Sequence, residues 1–196
     1  MLGENGQVDS LILLARHGQT ADAEGGRRVR GWLDAPLAEA GREQARGLAE
    51  ELRPEGIAAI WTSHLRRARE TAEIVGAALG LEPGVDERFA ETRRGSWEGR
   101  PVADIKREQP DAWRAWKHAD GSFRFPGGES LEEQRLRVVE ALGEVARGAL
   151  PALVVCHAGT MRCAYAHLHP HGFAAFRELP VEPCSVFRVP AGELSR

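Results

Sequence analysis

The chain has 196 residues, 42% of them hydrophobic and 28% charged, with a formal net charge of −3 at pH 7. Such a length suits one compact domain that buries about two-thirds of its unfolded surface without metal or disulfide staples, and the composition is too apolar for a disordered chain. The acidic balance argues against a general nucleic-acid binder, which needs a basic surplus, and no apolar run approaches the roughly 18–20 residues of a membrane span.

A polar, Gly-containing tail to about Ser10 is expected to be flexible. Leu11 to Ala15 is a continuous apolar run, which reads as a strand buried on both faces. After a loop rich in Gly and Arg, Ala45, Leu48, Ala49 and Leu52 recur at helical spacing until Pro54-Glu55-Gly56 stops the helix. Ile57 to Trp61 is a second short apolar run. Ser63 stands where it would cap a helix whose apolar stripe is Leu65, Ala68, Ala72, Val75 and Leu79.

Residues 83–126 are less regular and carry Trp97, Trp113 and Trp116 among short helical patches, so they read as an inserted, cap-like region. Trp97 reads as a packing residue. Gly127-Gly128-Glu129-Ser130 reads as a turn leading into a helix, with Ser130 and Glu133 forming a capping box. That helix continues through Val138, Leu142 and Val145. Leu153 to Cys156 is a third buried strand, a helix follows from about Thr160, and Ser185 to Val189 supplies a last strand. Alternating strands and helices predict an α/β fold over residues 1–196: a single-domain, three-layer α/β/α sandwich with a mostly parallel central sheet and helices on both faces.

In such a sheet, ligands bind beyond the carboxyl ends of the strands. Each of the three best strands runs at once into reactive polar residues: Arg16-His17-Gly18-Gln19-Thr20, then Thr62-Ser63-His64-Leu65-Arg66-Arg67, then His157-Ala158-Gly159-Thr160-Met161-Arg162. Two histidines among arginines suit phosphate chemistry. Guanidinium groups match phosphate oxygens and stay charged, and helix N-termini after these turns add backbone N–H groups. Nearby positive charge keeps one imidazole neutral and nucleophilic, while the second, if protonated, could donate to the phosphoryl oxygens. The residues alone leave open whether His17 or His157 attacks. No metal is needed where arginines supply the charge. His167, His169 and His171 with Cys163 match no structural zinc spacing. Cys156 points away from His157 on an extended strand and reads as core. Cys156, Cys163 and Cys184 lack CxxC spacing, which fits a reducing cytoplasm.

Arg16-His17-Gly18 with Thr20, Gly31-Trp32-Leu33-Asp34-Ala35-Pro36-Leu37, Ser63-His64-Leu65-Arg66-Arg67-Ala68, Glu91-Thr92-Arg93-Arg94-Gly95, and Cys156-His157-Ala158-Gly159 together resemble the histidine phosphatase superfamily of cofactor-dependent phosphoglycerate mutases and related phosphatases. The resemblance spans about Leu11 to Arg162. It implies that His17 becomes a phosphohistidine, that Arg16, Arg67 and His157 hold the phosphoryl oxygens, and that Glu91 protonates the leaving oxygen and then activates water. Gly18, Gln19, Thr20, Gly31 and Ala158 are expected to complete the substrate contacts. A glutamate acting as an acid near neutral pH is expected to have a raised pKa.

Two departures stand out. Many relatives carry an asparagine where this chain has Ala23, and the loop is one residue longer, which leaves open which of Arg27, Arg28 and Arg30 faces substrate. The short central region favours a phosphatase over a mutase. Arg93, Arg94, Arg100 and Lys106 are candidates to attract a second anionic group. The expected ligand is a small phosphate ester, with no cofactor, no nucleic acid and no membrane. A phosphoglycerate mutase and a non-catalytic phosphate-binding module are the competing readings.

Overall fold

The computed structural model describes residues 10–21, 28–118 and 121–195. The expected tail up to Asp9, together with Ala23 and Arg27, therefore lies outside the described residues. The strands are β1 (Leu11–Arg16), β2 (Ala59–Thr62), β3 (Pro83–Val85), β4 (Ala152–Cys156) and β5 (Val186–Pro190). The helices are α1 (Glu39–Leu52), α2 (Arg66–Leu79), α3 (Val102–Glu108), α4 (Pro110–Lys117), α5 (Leu131–Val145) and α6 (Ala158–Leu168). One sheet runs in the order β3-β2-β4-β1-β5. Its β3/β2, β2/β4 and β4/β1 pairs are parallel and β5 lies antiparallel to β1, giving a mostly parallel α/β sheet.

The continuous apolar runs are explained by burial on two faces. Ile12 and Leu14 of β1 pack with Val154 and Cys156 of β4 against Val138 and Leu142 of α5 and Met161 of α6. Leu13 and Ala15 pack with Leu153 and Val155 on the opposite side, against Leu48 and Leu52 of α1 and Ala72 and Val75 of α2. Strand alternation thus supplies both cores at once, and each helix contributes one apolar stripe.

A third cluster gathers around Trp97, which is fully buried and touches Trp113, Trp116, Phe123 and Phe125. Its indole N–H donates to Gln109 Oε1 at 2.7 Å. This cluster fixes α3 and α4 beside the carboxyl edge of the sheet, where Trp113 and Trp116 face a cavity. Among the described residues, no helix is long and apolar enough to cross a membrane.

Three expectations shift. Pro83-Gly84-Val85, assigned above to the inserted region, is a sheet strand paired in parallel with β2, because pairing with Ile60 to Thr62 outweighs the poor strand propensity of Pro and Gly. Helix α6 begins at Ala158, two residues earlier than expected. Ser63 does not cap α2, whose N-cap is Leu65. The cap comes from a distance, since the first-turn N–H of Arg66 donates to Asp34 Oδ1 at 2.7 Å. The capping box at Ser130 and Glu133 is present as expected.

Removing a side-chain cap acceptor costs a helix roughly 1 kcal/mol. Asp34→Ala should therefore lower the unfolding free energy by about 1 kcal/mol, read from the urea midpoint at unchanged m-value, while Asp34→Asn should retain most of it.

Candidate active site

Sheet register builds the site. Parallel pairing sets Arg16 beside Cys156 and Thr62 beside Val155, with β4 between β1 and β2. The next residues, His17, His157 and Ser63, therefore emerge in a row at the carboxyl edge. His17 N–H donates to Cys156 O at 3.0 Å and Ser63 N–H to Val155 O at 3.2 Å. The rings of His17 and His157 stand 5.2 Å apart.

His17 is held in one tautomer. Its Nδ1 lies 2.7 Å from Gly18 O, and a carbonyl can only accept, so Nδ1 carries the proton and the neutral ring keeps its lone pair on Nε2. Arg67 Nε–H donates to that Nε2 at 3.2 Å. Burial first, then the charges of Arg67 and Arg16, lower the His17 pKa to about 3. The imidazole is a free base throughout the neutral range.

Arg67 sits in the first turn of α2 and is almost completely buried. Its Nη1 and Nη2 donate to Leu33 O and Gly31 O, each at 2.8 Å. Gly31 reaches that position with φ +53°, a left-handed conformation that favours glycine. Arg16 Nη1 donates to Val181 O at 2.6 Å.

His157 Nε2 lies 2.9 Å from Ser63 Oγ, and its buried Nδ1 has no hydrogen-bond partner among the described residues. Burial, with Arg67 and His17 next, holds its pKa well below 6.5. The second histidine, whose protonation the sequence left conditional, is therefore neutral here.

Glu91 differs from expectation in the same way. Burial acts to raise its pKa but is outweighed by Arg94, the Thr92 N–H, Arg67 and the Gly159 N–H, which bring it to about 2. Glu91 Oε1 accepts from Thr92 N at 2.8 Å and from Gly159 N at 3.1 Å, and Arg94 Nη2 is 3.9 Å from Oε2. Thr92 Oγ1 in turn donates to Gln134 Oε1 at 2.6 Å. A Cβ on Gly159 would sit 2.0 Å from Glu91 Oε1, so this first turn of α6 must be bare backbone.

Arg16, His17, Arg67, Glu91 and Ala158 line one cavity of about 670 Å³. His157, its ring beside that of the lining residue His17, is itself outside the lining, as are Gly18, Gln19, Thr20 and Gly31. These last four hold the frame instead. Gly18 donates to Thr71 Oγ1 at 3.1 Å, and a Cβ on it would lie 2.4 Å from Gly41 O. Gln19 N–H donates to Gln44 Oε1, and Thr20 bridges to Leu37.

Of the loop arginines, Arg28 and Arg30 line the cavity. Arg94 also lines it, whereas Arg93 lies over Trp32, Arg100 pairs with Glu108, and Lys106 lies over Trp113. The remaining basic lining is Lys117, Arg162 and Arg177. Arg162 follows His157 by just over one helical turn, a spacing visible in the sequence, but nothing local marks Arg177 or Lys117. Among the described residues, no three His, Cys, Asp or Glu side chains are grouped to hold a metal ion.

The depressed values have a consequence for stability. His17 binds its proton less readily folded than unfolded, so the unfolded chain takes up more protons as pH falls. Its stabilisation is complete above the ordinary value of 6.5 and is lost as pH falls toward about 3; for Glu91 the window runs from 4.5 down to about 2. Urea unfolding between pH 6 and pH 4 should thus show stability falling with acid by about 1 kcal/mol per pH unit for each neutral histidine. His17→Asn should flatten that slope by one such increment.

The profile of the histidine phosphatase superfamily (branch 1) matches residues 12–193. A probable phosphoglycerate mutase GpmB of Yersinia pestis (strain Pestoides F) is 34% identical over 181 residues, 91% of this chain and 83% of that protein. Mycobacterial glucosyl-3-phosphoglycerate phosphatase, solved in complex with VO3, is similar at a TM-score of 0.83 and 34% identity, over 91% of this chain and 92% of that one. A putative alpha-ribazole-5'-P phosphatase from Escherichia coli superposes at a TM-score of 0.80 with 25% identity, over 91% of this chain and 89% of that one. The five motifs, their convergence at one sheet edge and these likenesses agree: the chain belongs to the histidine phosphatase superfamily, branch 1.

Proposed function

We propose that the protein is a metal-independent phosphomonoesterase that works through a phosphohistidine on His17. The observation that carries this reading is the lone pair on His17 Nε2, held among arginines with Glu91 on the same cavity. In the first step Nε2 bonds to phosphorus and the ester P–O bond breaks, its electron pair leaving with the alcohol oxygen. In the second step water attacks phosphorus, the P–N bond breaks, and His17 recovers its lone pair. Arg16 and Arg67 supply the positive charge that a divalent cation would supply elsewhere. Arg67 Nε turns from the imidazole to the phosphoryl oxygens as substrate arrives.

Glu91 takes both proton roles. It rests ionised, and the incoming phosphate offsets the charges of Arg16, Arg67 and Arg94 that depress its pKa. A proton taken up at that point is given to the leaving oxygen, and the carboxylate so regenerated accepts one from water. Three unpaired thiols, Cys156, Cys163 and Cys184, support a cytoplasmic setting.

The cavity also supports a substrate class. Among the described residues, eight basic side chains and two carboxylates, Glu91 and Glu182, line it. A phosphate ester with a second anionic group, a carboxylate or another phosphate, fits this basic lining, in which Arg177 lies over Trp116. Phosphoglycerate derivatives have this chemistry, and the name of the Yersinia relative keeps mutase activity as the second reading. Phosphate release without isomerisation of a phosphoglycerate separates the two.

Release of p-nitrophenol from para-nitrophenyl phosphate should persist in excess EDTA and vanish in His17→Ala. Activity surviving that substitution would move the nucleophile elsewhere. Glu91→Gln should cost about 10²–10⁴-fold on alkyl phosphates, whose leaving oxygen needs a proton. On para-nitrophenyl phosphate it should instead give a burst of p-nitrophenol followed by slow turnover. Arg177→Ala should raise KM about tenfold for an ester bearing a carboxylate, a loss of about 1.4 kcal/mol, while para-nitrophenyl phosphate is barely affected. Equal effects on both substrates would sink the second-anion reading.

A further inference from the structure

We infer that Ser63 is a positioning residue that fixes the tautomer of His157, so that Nδ1–H of this ring is the donor to the phosphoryl group carried on His17. The inference rests on the phosphohistidine reading for its purpose, but not for its geometry. Ser63 and His157 are both fully buried. The Ser63 oxygen accepts the N–H of Leu65 at 3.2 Å and lies 2.9 Å from His157 Nε2. A hydroxyl has one proton to give, and the acceptor recorded beside it is Nε2. Once Nε2 accepts, the proton of a neutral imidazole belongs to Nδ1.

That proton then has nowhere to go within the described residues, because Nδ1 is buried without a partner. A buried, unsatisfied polar atom costs on the order of a hydrogen bond's desolvation, so it calls for an explanation. His17 supplies one. Its ring is 5.2 Å from that of His157, so a phosphoryl group on His17 brings oxygens alongside the orphaned donor. A charged imidazolium would donate from both nitrogens without help. Arg67, His17, Arg137 and Arg16 surround His157 with positive or competing charge, and a ring kept neutral needs a partner to choose which nitrogen donates. The sheet register provides it, since Ser63 and His17 flank His157 on the two strands that pair with β4.

The first experiment uses the wild-type protein with 15N-labelled histidine and no substrate. At pH 7 the long-range 15N–1H spectrum should show His157 with a pyridine-like Nε2 and a protonated Nδ1. The reverse tautomer, or two protonated nitrogens, would overturn the inference whatever the protein's activity turns out to be. Addition of vanadate should shift the Nδ1 resonance; an unmoved resonance in a vanadate-saturated protein would also overturn it. Ser63→Ala should mix the two tautomers and lower kcat about 10–100-fold at nearly constant KM, the pattern of a contact made only in the transition state. Ser63→Thr, which keeps the hydroxyl, should restore a single tautomer and most of kcat. A folded Ser63→Ala with unchanged tautomer and kcat within twofold of wild type would reduce Ser63 to packing. Because the tautomer is read without turnover, its failure is distinguishable from failure of the phosphatase assignment.

Discussion

A guanidinium buried at the first turn of α2 is the constraint around which this site is arranged. An unpaired interior cation is strongly unfavourable, and Arg67 meets that demand with Leu33 O, Gly31 O and His17 Nε2. The loop between β1 and α1 must therefore fold back over α2, which Gly31 permits through its positive φ. The same clamp continues outward. Asp34 caps Arg66, and Glu70 accepts the Leu37 N–H while pairing with Arg66 and Arg42. A buried cation of the candidate site and a helix cap are thus parts of one piece of loop folding.

The buried charge also decides protonation. In an apolar pocket a glutamate gains protons and a histidine loses them. Here burial, reinforced by Arg67, lowers both histidines, while at Glu91 the arginines and two backbone N–H groups outweigh burial, leaving two neutral histidines and an ionised Glu91. In the mechanism proposed above, the nucleophile is ready at rest, whereas the acid is in the form suited to the second step, and substrate charge would make the first step possible by offsetting the arginines. Binding and proton supply would then be coupled through the electrostatics of the cavity.

Much of this site was legible because parallel strands carry their following residues to one edge. Arg16-His17 after Leu11–Ala15 and His157 after Leu153–Cys156 are consequences of that topology, as is the approach of Arg67. Local chemistry was equally direct at Ser130 and Glu133, whose capping box involves residues three apart. The misreadings come from distance. Ser63 precedes a helix and looks like its cap, yet its hydroxyl is directed to His157, 94 positions away. The true cap acceptor, Asp34, is 32 positions upstream. Pro83 and Gly84 have poor strand propensity, and the segment is a strand because β2 is there to pair with it. The pKa of Glu91 could not be inferred from burial alone, since its sign depends on Arg94, Arg67 and two backbone N–H groups brought together by folding.

Net charge was informative about the whole molecule and silent about its interior. The chain carries −3, yet one cavity gathers eight basic side chains against two carboxylates. The acidic excess therefore lies outside this lining, where 27 Asp and Glu stand against 18 Lys and Arg, and part of that charge is paired locally, as in Arg88 with Asp86 and Glu144, Arg107 with Asp104, and Arg53 with Glu50. Exposed pairs of this kind add little stability, but they cancel charge in place. The cavity lining itself is predominantly basic, and a concave site focuses field lines, so a small anion is drawn in. Several cavity arginines are braced by main-chain carbonyls, Arg16 by Val181, Arg28 by Gly99 and Arg177 by Trp116 and Lys117. A carbonyl orients a guanidinium without neutralising it, so the fold aims positive charge at the cavity while leaving that charge for the ligand to balance.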